Sequence, residues 1–323
     1  MAQNLLNLPS FAWMFIGLSV SLGAVTNALG DTVYRDYTQE QLDRNYNQAE
    51  WAPNIKQILE RYDLRSEWTR DRLGEPERHE YETGDPNHPV QSFDLYRADV
   101  DNAPAMIYIH GGAWRAGNAE SYHFPAPLFL DNDISYIALD FSPVQDVGLD
   151  GMISQIRHAI ATIYNQADEI GVDRDKLYVS GHSSGGHLGG VTLITDWEEF
   201  DLPKDVIKGA TLISGMYDLK PVRLSARSSY VPFTDEIEDQ LSTIRHIDKI
   251  NTPIILAVGD LETDEFKRQT GEFAQALKDA GKTVELFNLA PYNHFETMDD
   301  YGNPYYPVSA ASIKQIKENE QNK

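Results

Sequence analysis

Leu177-Tyr178-Val179-Ser180-Gly181-His182-Ser183-Ser184-Gly185-Gly186-His187-Leu188 joins a short β-rich run to a run able to start a helix, with a Gly-x-Ser-x-Gly pentapeptide at the junction. A serine on so sharp a strand-to-helix turn is held in strained backbone geometry and lifted clear of the sheet. The flanking glycines leave room for the neighbouring strand and helix. This is the pattern of a nucleophile elbow in the context it needs. The pentapeptide alone also fits an ordinary glycine-rich turn before a helix, so its flanks carry the argument.

Outward from the elbow, β-branched and aromatic runs at 105–109, 135–139, 177–180, 210–214, 253–258 and 284–287 predict short strands. They alternate with amphipathic segments. Between the second and third, Met152, Ile153, Ile156, Ile160, Ile163, Ala167 and Ile170 recur at three- and four-residue spacing, which makes one apolar helix face that Gly171 ends. Strand and helix in alternation predict an α/β fold with a mainly parallel central sheet flanked by helices. Residues 217–248, with Pro221 and Pro232, break the rhythm and predict a small excursion above the sheet that shapes a pocket. Residues 31–90 are polar and read as a helical N-terminal or cap segment, with helices over 38–50 and 54–68 and turns at Gly84 to Pro89. The catalytic domain then spans 91–323.

The 323 residues suffice for a full-sized core, and the absence of cysteine excludes disulfides and thiol chemistry. A formal charge of −23 repels phosphate backbones, so nucleic acid is not an expected partner. Residues 8–29 are mostly apolar but diluted by Gly17, Ser19, Ser21 and Gly23, and no Lys or Arg precedes Arg35. The missing basic region argues for an N-terminal arm over 1–30 that docks on the domain or on another subunit of a dimer or tetramer, and for a cytoplasmic location. A signal-like or membrane-associated segment is the alternative.

A serine hydroxyl needs a base, and the base needs an orienting acid. Asn293-His294-Phe295 follows the last predicted strand, where the chain order Ser, acid, His places the base. The loop Gly259-Asp260-Leu261-Glu262-Thr263-Asp264 offers three acids, and the Gly-x-x-acid spacing from Gly259 selects Glu262, with Asp260 second. Ile107-Tyr108-Ile109-His110-Gly111-Gly112-Ala113-Trp114 puts a strand before His-Gly-Gly. The Gly111 and Gly112 amides, joined by that of Ser184, would form an oxyanion hole. Trp114, Tyr217 and Tyr230 are candidate substrate-binding aromatics near these loops. No His-Glu-x-x-His, Gly-x-Gly-x-x-Gly or phosphate-binding Gly-x-x-x-x-Gly-Lys-Ser/Thr loop occurs, so neither a metal nor another cofactor is indicated.

Taken together, these motifs resemble the bacterial carboxylesterases related to kynurenine formamidase (arylformamidase), near the hormone-sensitive-lipase-like esterases of the α/β-hydrolase superfamily. Residues 37–54 look like that group's helical N-terminal segment, and His110-Gly111-Gly112-Ala113-Trp114 matches its oxyanion motif. Gly181 through Leu188 is similar to its elbow, and Ser214-Gly215-Met216-Tyr217-Asp218-Leu219-Lys220-Pro221 to its next strand and turn. In Glu262-Thr263-Asp264-Glu265-Phe266-Lys267-Arg268-Gln269 the resemblance puts the catalytic acid at Glu262, where formamidases proper usually carry aspartate. The expectation is a serine carboxylesterase with a Ser183-His294-Glu262 triad acting on a small, aromatic-compatible ester. Arylformamidase activity and a catalytically silent binding protein are the alternatives.

Overall fold

The computed structural model describes residues 31–321; the apolar arm read at 1–30 lies outside the described residues. Eight strands form one sheet: β1 (Glu77–Glu82), β2 (Val90–Tyr96), β3 (Ala103–Ile109), β4 (Ser135–Leu139), β5 (Val172–His182), β6 (Ile207–Ile213), β7 (Ile254–Gly259) and β8 (Val284–Leu289). Their order is β1-β2-β4-β3-β5-β6-β7-β8, parallel from β4 to β8, with β2 antiparallel to both its neighbours.

Every residue of β3, β4 and β7 is buried, as expected of strands covered by helices on both faces. The long helix α3 (Val144–Asn165) presses Leu149, Met152, Ile153, Ile156, Ala159, Ile160 and Ile163 onto one face. Each large side chain buried this way contributes about 1.5–3 kcal/mol. Gly171 caps the short turn that follows in the left-handed conformation, φ 72°. Among the described residues, no helix is long and apolar enough to cross a membrane.

The N-terminal segment needs a correction. Its helices are α1 (Gln39–Asn45), opened by a capping box between Thr38 and Gln41, and α2 (Ile55–Leu73), but Glu77–Glu82 is the edge strand β1 of the main sheet. The sheet therefore begins before the expected boundary at 91. The sequence Glu77-Arg78-His79-Glu80-Tyr81-Glu82 hides this because Tyr81 alone is buried. An edge strand that shows most of its side chains to water has little apolar alternation to read.

Candidate active site

The carboxyl ends of the parallel strands converge on one crevice, the place where open α/β sheets hold ligands. Central strand β5 runs between β3 and β6, with Gly181 level with both Ile109 and Leu212. It ends in Ser183, held at φ 59°, ψ −122°, immediately before helix α4 (Ser184–Thr192). Backbone in that region stores on the order of 1–3 kcal/mol of strain, which the Ser183 amide bond to the Ile213 carbonyl at 2.9 Å helps to hold. A Cβ on Gly185 would stand 2.0 Å from the Ile109 carbonyl oxygen, so this position admits glycine alone while α4 packs where it does.

Ser183, His294 and Glu262 stand in line. Ser183 Oγ lies 2.8 Å from His294 Nε2, and His294 Nδ1 lies 2.7 Å from Glu262 Oε2. All three side chains are nearly enclosed, at 6 %, 3 % and 2 % exposure, which strengthens each charged hydrogen bond. Glu262 Oε1 accepts from the Gly259 amide at 2.7 Å and from Ser214 Oγ at 2.6 Å. Asp260 and Asp264 are exposed; Asp264 opens helix α7 (Asp264–Asp279).

Three supports of this line escaped sequence reading. Ser214 sits at the end of β6 with φ 52° and holds the acid. Thr297 donates to the His294 carbonyl at 2.7 Å, and the His182 ring lies 2.7 Å from the same oxygen through Nε2. Burial pushes the His182 imidazole well below its usual pKa, aided by the neighbouring His294, so it stays neutral and Nε2–H donates. Ser214 opens the Ser214-to-Pro221 stretch, but nothing local in that sequence assigns a side chain that acts across the sheet.

Opposite the elbow, His110 ends the run from β3 and Gly112 turns at φ 113°. A Cβ there would fall 2.0 Å from the Ala116 carbonyl oxygen. The loop is tied to the elbow by the Trp114 amide, which donates to Ser184 Oγ at 3.1 Å. Ser184 is the first residue of α4, and its N–H has no partner within that helix. A Cβ on Gly111 would stand 3.3 Å from Ser183 Cβ, and Gly112 lines the same cavity as Ser183.

A cavity of about 530 Å³ opens over Ser183 and His294, within the range of small-molecule sites. Tyr230 lines it, as expected. Trp114 and Tyr217 do not. Trp114 is 1 % exposed, its indole N–H donating to His187 Nδ1 at 3.3 Å, and Tyr217 is fully buried and stacks on Phe273 with ring centroids 4.3 Å apart. Both are core residues beneath the loops, and their motif positions gave no sign of which way the rings turn. The excursion, built from α5 (Leu219–Leu224), α6 (Asp235–Gln240) and short 3₁₀ turns, supplies Ala226, Arg227, Ser229 and Tyr230 to the wall. The facing wall is the N-terminal segment, through Tyr46, Asn47, Gln48, Leu59 and Tyr62. That segment is bolted to the acid loop: Tyr46 donates to Glu265 at 2.8 Å, Gln48 donates to Thr263 Oγ1 at 2.8 Å, and Thr263 donates to the Asn45 carbonyl at 2.8 Å.

Comparison with known proteins agrees with this architecture. A family model described as BD-FAE matches residues 93–209, from β2 to the start of β6. A solved esterase from Pyrobaculum calidifontis superposes with a TM-score of 0.65 over 86 % of this chain and 98 % of its own, at 19 % identity. The chain is an α/β-hydrolase and an enzyme of the carboxylesterase type. In sequence it is similar to kynurenine formamidase of Danio rerio, 26 % identical over 88 % of this chain and 98 % of that protein. It is also similar to the esterase LipC of Mycobacterium tuberculosis, 27 % identical over 49 % of this chain and 42 % of that one.

Proposed function

We propose that the enzyme hydrolyses small carboxylic esters through an acyl-enzyme on Ser183. The observation that carries this reading is the unbroken line Ser183–His294–Glu262 at 2.8 and 2.7 Å at the floor of the cavity. With Nδ1–H directed at Glu262, His294 Nε2 is free to accept the Ser183 proton as Oγ attacks the carbonyl carbon. Charge moves to the carbonyl oxygen, where the Gly111, Gly112 and Ser184 amides donate to it. The imidazolium, steadied by Glu262, gives its proton to the departing alcohol as the tetrahedral intermediate collapses. Water then repeats the sequence on the acyl-enzyme and frees the acid and Ser183.

The test is turnover of a short-chain 4-nitrophenyl ester together with capture of a fluorophosphonate. Ser183→Ala is expected to lose both, with unchanged circular dichroism. Full turnover in that variant overturns the assignment, and a wild-type chain that neither turns over ester nor captures the probe is a silent binding protein.

A second reading has a specific support: the similarity to a kynurenine formamidase covers nearly the whole of both chains. The same line of residues would then cleave an aryl formamide, expelling an amine. Comparing kcat/KM for a formanilide with that for a matched aryl ester decides between the two; a preference for the formanilide would select the formamidase reading.

A further inference from the structure

In a chain with 50 acidic and 27 basic side chains, almost every arginine finds a carboxylate. Among the described residues, only Arg72, Arg115, Arg157 and Arg227 stand in no ion pair, and Arg115 and Arg227 both line the cavity over Ser183. Arg227 is the more telling. It is 8 % exposed, and buried guanidinium groups ordinarily have a counter-ion.

Its neighbours hold the group without neutralising it. Nη1 donates to the Tyr230 hydroxyl at 3.1 Å and Nη2 to the Tyr46 carbonyl at 2.9 Å, while Nε is buried with no acceptor. The charge rests against the faces of Trp114 and Tyr46, at 5.4 and 6.0 Å. Two of the five N–H donors of a guanidinium are thus engaged, and none meets an anion. Arg115 lies over the other side of the link, its guanidinium 4.1 Å from the Tyr230 ring centre. Neither acid that lines the cavity pairs with Arg227 or Arg115: Glu50 pairs with Arg44, and Asp43 accepts from Gln39 and from the Ala226 amide.

We propose that the cavity selects esters that carry a carboxylate a few bonds from the scissile carbonyl, with Arg227 as the specificity-determining residue and Arg115 assisting at the rim. The inference rests on the hydrolase reading above and names its substrate class. Arginine suits this task because its planar fork can pair with a carboxylate while staying charged at every working pH. The ligand carboxylate takes the place of the missing counter-ion. The walls that fix Arg227, Tyr46 from the N-terminal segment and Tyr230 from the excursion, hold the fork ready before substrate arrives.

The experiment compares two pairs of esters differing in charge: mono-(4-nitrophenyl) glutarate against 4-nitrophenyl pentanoate, and 3-acetoxybenzoate against 3-acetoxybenzamide. At least one pair is expected to favour the carboxylate, by roughly tenfold or more in kcat/KM, the scale of a charge-assisted hydrogen bond. The preference should weaken with added NaCl, shrink about tenfold in Arg227→Met and return in part in Arg227→Lys. Arg115→Met should lower it less. Equal turnover in both pairs, or a preference unchanged in Arg227→Met, overturns the proposal. Direct binding of glutarate by calorimetry separates the two readings if neither ester is hydrolysed. Binding that is lost in Arg227→Met supports the anion pocket even where the hydrolase reading has fallen, and no binding to the wild-type chain overturns the pocket as well.

Discussion

Glu262 uses both carboxylate oxygens, one for His294 and one for Gly259 and Ser214, so neither can swing without breaking a buried bond. That double hold would immobilise a glutamate, despite its extra methylene, in the triad proposed above. Replacing it by the amide offers His294 an NH₂ group or a weaker acceptor, and the imidazole loses the tautomer that leaves Nε2 free. Glu262→Gln is therefore expected to lower kcat on the order of 10⁴-fold. Asp260, exposed on the same loop, should tolerate Asp260→Asn with most of the turnover kept. The reverse ranking of the two variants, measured at steady state on folded protein, would move the role to Asp260. At this scale the sequence was informative because the loop spacing separates the candidates. It was silent on Ser214, Thr297 and Arg227, whose roles arise from contacts between distant segments.

At the scale of elements, the elbow works because α4 lies close against the ends of β3 and β5. The Gly185 Cα faces the Ile109 and His110 carbonyls, and an added Cβ would meet three backbone atoms within 2.8 Å. Backbone cannot step aside as a side-chain tip can. Gly185→Ala is expected to destabilise the fold by about 3 kcal/mol, the upper end of an overpacking penalty, and to displace Ser183 from His294. Chemical denaturation together with fluorophosphonate labelling reads both effects, and a variant of wild-type stability that labels at the wild-type rate would contradict them. The buried strands were legible because β3, β4 and β7 are apolar on both faces. The edge strand β1 was not, because one buried residue in six does not make a period.

For the whole molecule, three histidines are enclosed around the elbow and its partner loop, and burial lowers the pKa of each: His110, His182 and His187, the last pushed down to about 4. In the unfolded chain these groups protonate near 6.5. Below that value the unfolded state binds protons that the folded state refuses, so stability is full at neutral pH and falls as the solution is acidified. For His187 the loss between about pH 6.5 and 5 is about 1.5 kcal/mol. The histidine is also a brace: Nδ1 accepts from Trp114, and Nε2 lies 3.0 Å from the Leu241 carbonyl of the excursion. His187→Gln should therefore lower the melting temperature at neutral pH yet flatten its decline between about pH 6.5 and 5. A decline as steep as that of the parent protein would show that His187 is protonated in the folded state.

By itself the sequence determined the α/β class, the elbow at Ser183, the His-Gly-Gly loop and the short list from which His294 and Glu262 come. Each of these depends on local backbone demands: a tight turn, a positive φ, a strand of apolar side chains, a fixed count of residues from a glycine. Only the tertiary structure decided which side chains face the cavity. It turned Trp114 and Tyr217 into the core, brought Tyr46 and Gln48 from the N-terminal segment to the wall, and left Arg227 buried without a counter-ion. Those outcomes follow from the packing of segments far apart in the chain, where burial and charge compensation are properties of the assembled surface and leave no periodic trace along the sequence.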